Sequence, residues 1–119
     1  MKTENILLYD LAGLKNQTGN DAEFLHQLVI LFIKQSVENL KKIDAASRQK
    51  NWSEIHFIVH KMKSAINLFG IKSLQQIIVI TEELTHDKSD EKKIAENLQL
   101  IDQVLHQCME QLKMEFSVD

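Results

Sequence analysis

Two histidines one helical turn apart, His56 and His60, are the residues best suited to chemistry in this chain; they lie in the stretch IHFIVHKMKSAINLFG. A neutral imidazole is a good nucleophile near neutral pH. Lys63 follows His60 by three residues and Ser64 by four, so a helix places both beside it. A lysine ammonium compensates the charge of an anionic reactant such as a phosphoryl group, and a small residue leaves room for it. The spacing predicts a nucleophilic histidine; the alternative is a solvated surface histidine.

The apolar pattern around His60 favours an exposed position in the middle of a helix. At about 100° per residue, His60 lies nearly opposite the apolar side, and His56, Lys63, Ser64 and Asn67 surround it. Asn67 is either a hydrogen-bonding group of the site or an ordinary solvated residue. The apolar side is formed by Ile55, Ile58, Val59, Met62, Ala65, Ile66 and Phe69.

The remaining sequence predicts the elements that position this helix. The chain has no proline and three glycines, so long helices can run without interruption. The ends of these helices are predicted by capping boxes at Asn20–Glu23 and Asn51–Glu54, by a cap at Ser73 and by a left-handed Gly70. We predict an all-α fold, an antiparallel up-down four-helix bundle with a short N-terminal capping helix. The predicted helices span about 7–15, 21–48, 52–69, 73–86 and 90–115, within one domain, 1–119.

Composition excludes several classes of function. The chain has 119 residues and a net charge of −3 without a long basic run, which argues against a nucleic-acid or anionic membrane partner. The longest apolar run, Leu28–Ile33, is far shorter than the roughly 20 residues that span a bilayer. No signal-peptide pattern precedes it. Cys108 is the only cysteine, so a reducing cytoplasm is expected, and its place on an apolar seam predicts a small buried hydrophobe.

The stretch His60-Lys61-Met62-Lys63-Ser64, with Gly70 ten residues after the histidine and Trp52 eight before it, resembles the histidine-containing phosphotransfer (HPt) domain. The motif of that family is His, any residue, Leu or similar, Lys, then Gly or a small residue. Helix number, order and length extend the resemblance over nearly the whole chain. Two positions depart from the pattern: Val59 replaces the usual alanine and Ser64 the usual glycine.

The resemblance implies that His60 is phosphorylated and that Lys63 and Ser64 stabilise the phosphoryl group. It also implies that a Glu or Gln about 22 residues after the histidine, here Glu82, orients the ring through Nδ1 and leaves Nε2 as the nucleophile. The alternative for Glu82 is an ordinary surface glutamate. Asn67 is a further candidate for a supporting role.

The resemblance further implies a phosphoryl carrier that shuttles between aspartates of response-regulator receiver domains, supplied by a hybrid sensor histidine kinase. Such a carrier is a substrate of receivers rather than an enzyme. It binds no cofactor of its own, and Mg²⁺ comes from the receiver. A cytoplasmic monomer is expected. The sequence leaves open which kinase and regulator it serves and whether it is a piece of a larger kinase.

Two large apolar residues, Phe57 and Leu68, lie roughly 60–80° around the helix from His60 and are candidates for partner docking. We expect the N-terminal helix to cover part of this flank and to extend it with its own leucines, Leu8 and Leu11. His56 is either a bystander or a residue that modulates charge near His60.

Two other classes of function are the alternatives. One is a structural or adaptor bundle without chemistry. The other is a metal-binding bundle, suggested by two Glu-x-x-His units, Glu23–His26 and Glu83–His86. The first begins one long helix and the second ends the helix parallel to it, so they are expected at opposite ends. We therefore predict no metal site.

Overall fold

A computed structural model describes residues 6–119, and in that part of the chain it contains five α-helices and no β-strand. The predicted all-α class is confirmed. The helices are α1 (Ala12–Thr18), α2 (Ala22–Arg48), α3 (Trp52–Leu68), α4 (Lys72–Asp87) and α5 (Glu91–Phe116).

Side-chain caps begin three of the helices. Asn51 accepts from the N–H of Glu54 at 3.2 Å, at the predicted start of α3. The cap of α2 is Asp21 rather than Asn20, because Asn20 has a left-handed φ of 66° and ends the preceding turn instead. The third cap, Asp90, opens α5.

The fourth helix begins one residue before the predicted cap at Ser73. The residue preceding α4 is Ile71, which is fully buried and has no side-chain cap. Its carbonyl accepts the N–H of Leu74 at 3.0 Å, so a tight backbone turn starts the helix in place of a side chain.

The short N-terminal helix lies further along the chain than predicted, at 12–18 instead of about 7–15. Backbone groups before residue 12 bind other elements. The N–H of Asp10 donates to the carbonyl of Phe69 at 3.0 Å. The side-chain amide of Gln111 accepts from the N–H of Leu8 at 2.8 Å and donates to the carbonyl of Ile6 at 2.9 Å. These long-range bonds hold the segment against α3 and α5 and replace a first helical turn.

The long helices contact one another in a closed ring, in which α2 and α4 each pack against both α3 and α5, while α1 packs on α2. The core lies inside this ring and includes the fully buried Val29, Ile55, Ile58, Ile66, Leu74, Ile78, Ile94, Ile101, Leu105 and Leu112. Cys108 is also fully buried, as predicted, and burial raises the pKa of its thiol to about 12. Within residues 6–119, no helix has the length and apolar character needed to cross a membrane.

A histidine site between α3 and α4

Helix α3 places His60 on an exposed face, directly beside helix α4. The His60 side chain is 60% exposed, whereas its neighbour across the helix pair, Glu82 of α4, is only 16% exposed. Buried Val59 and Met62 hold this part of α3 against the core. The imidazole is therefore fixed at its base and open to solvent at its outer edge.

Glu82 binds two residues of α3 with its two carboxylate oxygens. Oε2 contacts Nδ1 of His60, and Oε1 accepts from Nζ of Lys63 at 2.8 Å. The hydrogen bond from Lys63, and next the one from His60, lower the pKa of Glu82 below its usual range. An ionised carboxylate only accepts hydrogen bonds, so in the neutral ring of His60 Nδ1 carries the proton and Nε2 keeps a free lone pair.

The other predicted residues of the site, Ser64 and Asn67, are both exposed on the same face of α3 as His60. Within residues 6–119 neither forms a side-chain hydrogen bond with His60. Both leave polar, exposed surface next to the imidazole.

His56 lies closer to this site than its sequence position alone indicated. It is half-buried, and its Nδ1 lies 2.9 Å from the backbone carbonyl oxygen of Glu82. Its ring is nearly parallel to that of His60, with centroids 6.4 Å apart, and the ring of His86 lies 5.4 Å away. The spacing of four residues predicts that His56 lies beside His60, but it does not predict the hydrogen bond of His56 to the backbone of α4.

The docking candidates differ in their exposure. Phe57 is 56% exposed, while Leu68 and Leu8 are half-buried. The expectation for Leu11 is wrong, because this residue is only 6% exposed and belongs to the core that anchors the start of α1. The leucine that the N-terminal segment does expose is Leu7, at 52%.

Gly70 has a structural role where the N-terminal segment meets the end of α3. Its φ is +61°, and a Cβ atom at this position would lie 2.4 Å from the carbonyl oxygen of Asp10. Only glycine allows both this conformation and this approach. The close approach brings the N-terminal segment to the same end of α3 as Leu68.

The two Glu-x-x-His units do not come together. Nε2 of His26 lies 2.9 Å from the carbonyl oxygen of Phe116 at the end of α5, whereas His86 lies against His56. In the part of the chain that the structure describes, no group of three or more His, Cys, Asp or Glu residues could hold a metal ion.

One comparison with known proteins gave a match. The sequence model of the Hpt domain matches residues 27–115, a range that contains all of α3 and α4 and most of α2 and α5. No significant match was found among curated proteins or among solved structures. The family match covers most of the chain and confirms the resemblance carried by the motif at His60. The chain therefore belongs to the Hpt domain family, whose members are histidine phosphocarriers of phosphorelays.

Proposed function

We propose that this chain accepts a phosphoryl group on His60 from an aspartate of one receiver domain and passes it to an aspartate of another. One observation carries the proposal: Glu82 binds Nδ1 of His60 from a second helix while the outer edge of the ring faces solvent. This arrangement leaves Nε2 as an oriented nucleophile that a partner protein can reach.

The transfer step follows from this arrangement. The Nε2 lone pair attacks the phosphorus of the receiver's aspartyl phosphate, an N–P bond forms, and the acyl P–O bond breaks. The electron pair of that bond leaves with the receiver's carboxylate. The phosphorylated ring keeps its Nδ1 proton and becomes cationic, and the Glu82 carboxylate stabilises that charge. Transfer to the next receiver reverses each of these changes.

Lys63 is suited to compensate the charge of the phosphoryl group. Its ammonium has three donors and uses one on Glu82, so others stay available for phosphoryl oxygens. Ser64 lies one turn after His60, keeps the approach open with a small side chain, and offers a hydroxyl donor. Asn67 is the next polar residue on this face, and we assign it a supporting hydrogen-bonding role.

We infer that residues 1–119 form one domain, an antiparallel up-down four-helix bundle with α1 covering one end. The closed ring of helix contacts supports this architecture. So do the connections between the long helices, which span only 49–51, 69–71 and 88–90. Such short links place successive helices side by side and antiparallel.

The docking surface for a receiver consists of Phe57, Leu68 and the exposed part of the N-terminal segment at Leu7 and Leu8. A receiver must contact whatever borders His60, and a transient signalling contact combines an apolar centre with a polar rim. We propose that the receiver brings its own Mg²⁺ and that a hybrid sensor histidine kinase stands upstream. The carrier itself is a cytoplasmic monomer without kinase activity, a bound cofactor, a nucleic-acid partner or membrane insertion.

The test is a relay reconstituted from purified proteins. A receiver domain is phosphorylated by a small-molecule donor, the donor is removed, and the receiver is then mixed with the chain before a second receiver is added. The proposal predicts acid-labile, base-stable phosphate on the chain and then base-labile phosphate on the second receiver. A chain that never becomes labelled by any receiver of a broad panel would instead be a helical adaptor.

A further inference from the structure

Glu82 is held by three residues of α3 rather than by two. His60 and Lys63 bind its carboxylate, and His56 binds its backbone carbonyl. The three residues follow one another at intervals of four and three, so they form one stripe on the side of α3 that faces α4. The side chain and the backbone of Glu82 therefore both bind residues of the same stripe of α3.

The direction of the His56 bond follows from its partner. A carbonyl oxygen only accepts, so Nδ1 of His56 carries the proton. The same oxygen is the helical acceptor for the N–H four residues later, and it is a second, longer acceptor at 3.1 Å of the Thr85 hydroxyl, whose shorter bond of 2.8 Å goes to the carbonyl of Thr81. The carbonyl therefore has partners within α4 already. The additional bond from His56 is therefore not needed to give this carbonyl a hydrogen-bond partner. It fixes the position of α4 against α3 at this turn.

The position of α4 matters because the Glu82 carboxylate must reach two targets at once. Hydrogen bonds weaken steeply when distance or angle departs from the optimum. A small shift of the Glu82 backbone would break the contact with His60 or the one with Lys63. Among residues 6–119, the bond from His56 is the only hydrogen bond between the backbone of Glu82 and α3.

We propose that His56 is a positioning residue: its Nδ1–H anchors the backbone of Glu82 so that the carboxylate holds His60 in the Nδ1–H tautomer. The consequence for the rate of phosphoryl transfer rests on the proposed function of His60. The consequence for the tautomer does not, because it concerns the unphosphorylated protein.

The competing explanation is that His56 only fills space between the rings of His60 and His86. Two variants of the full chain separate the explanations. His56→Phe keeps a flat ring but removes the donor. His56→Asn removes the ring but keeps an amide N–H close to the place of Nδ1.

The experiment records two-bond ¹⁵N–¹H correlations of the imidazole rings at a pH where the histidines are neutral, since these spectra distinguish the two tautomers. In the unmodified chain, both His56 and His60 should be Nδ1–H. His56→Phe should turn His60 into a mixture in which Nδ1–H is no longer dominant, and His56→Asn should restore it. Transfer from a receiver should fall severalfold in His56→Phe and recover in His56→Asn.

Three results would overturn the proposal. One is an unmodified chain in which His56 is the Nε2–H tautomer, an outcome that needs no variant to fold. Another is a folded His56→Phe variant with an unchanged His60 tautomer. The last is an equal change in both variants, which would assign the effect to ring packing. Failure of the proposed function would appear differently, as absent transfer with these tautomers intact.

Discussion

His60 on α3 and His106 on α5 are a natural comparison, because their side chains are 60% and 61% exposed and each has a carboxylate nearby. Nδ1 of His106 lies 2.9 Å from the carbonyl oxygen of Asp102 in its own helix, and 3.6 Å from the Asp102 carboxylate. His60 instead binds Glu82 of a different helix. Three residues after His60 comes Lys63, whereas the same position after His106 is the buried Met109.

If His60 is the phosphorylated residue, as proposed, then exposure and a neighbouring acid are not sufficient to make a phosphorylation site. Asp102 is 57% exposed, so solvent and salt screen its pull on His106. Glu82 is 16% exposed and is held by Lys63 as well. Orientation of the His60 ring comes from contact between two helices, whereas His106 contacts only its own helix.

The largest expected effect is the loss of labelling when His60 is replaced. His60→Gln should reduce phosphotransfer from a receiver to background, because no other histidine combines an oriented ring with a lysine. His106→Gln is the matched control and should transfer at the rate of the unmodified chain. Autoradiography or Phos-tag electrophoresis measures the phosphate labelling of both variants. Retained labelling of the His60→Gln variant would contradict the assignment of His60 as the phosphorylated residue.

Lys63→Met should slow transfer by about tenfold to a hundredfold, less than the about 10²–10³-fold typical of losing a water-excluded donor, because the Lys63 side chain is partly exposed. Folding should be nearly unaffected since the side chain is partly exposed. Lys92→Met is the matched control, because Lys92 is an exposed lysine on α5, outside the site between α3 and α4. Rapid-quench kinetics compare the two. Equal rates for both variants would leave Lys63 as an ordinary surface residue.

Polar substitutions in the docking surface should have a smaller effect, roughly a three- to tenfold loss of transfer from a receiver for Phe57→Ser or Leu7→Ser. Labelling by acetyl phosphate or phosphoramidate, which needs no docking, should be spared. Leu100→Ser removes an equally large exposed residue from α5 and serves as the control. Parallel losses with both donors would indicate damage to His60 itself, and no loss would place docking elsewhere.

The smallest expected effect concerns stability and pH. Lys63 first and His60 second depress the pKa of Glu82 in the folded state. The contribution of the ionised carboxylate to the free energy of unfolding is therefore fully present above the pKa that this carboxyl has in the unfolded chain. It is lost as pH falls through the depressed value. Urea unfolding from pH 7 to 3 should show Glu82→Gln less stable by about 1 kcal/mol at neutral pH, with the difference shrinking as the pH falls.

The control for that experiment is Asp102→Asn, which should change stability by less than about 0.5 kcal/mol, as exposed substitutions usually do. A difference between Glu82→Gln and the unmodified chain that grew as the pH fell would contradict the sign of the shift.

Much of the fold follows from local sequence. The helical phase of the apolar residues and the absence of proline predicted the extents of α2 to α5 to within about two residues. The placement of His60 on an exposed face followed from the same phase. Helical periodicity is a local property, and tertiary contacts did not override it in these long segments.

The remaining features depend on contacts between residues far apart in sequence. The displacement of α1 results from hydrogen bonds between Gln111 and the backbone of Ile6 and Leu8, about a hundred positions away. Leu11 is buried in a core to which all five helices contribute residues. The bond from His56 to the carbonyl of Glu82 needs the exact pairing of α3 with α4, which no local pattern encodes.

The most direct test of the account is to identify the phosphorylated atom in the unmodified chain. The ¹⁵N-labelled protein is phosphorylated by a receiver and examined by ³¹P and ¹⁵N–¹H spectroscopy, with the site mapped by mass spectrometry at neutral pH. The proposed transfer mechanism predicts one phosphohistidine, at Nε2 of His60, with the Nδ1 proton retained. Phosphate on Nδ1 of His60, or on another histidine such as His106, would contradict it.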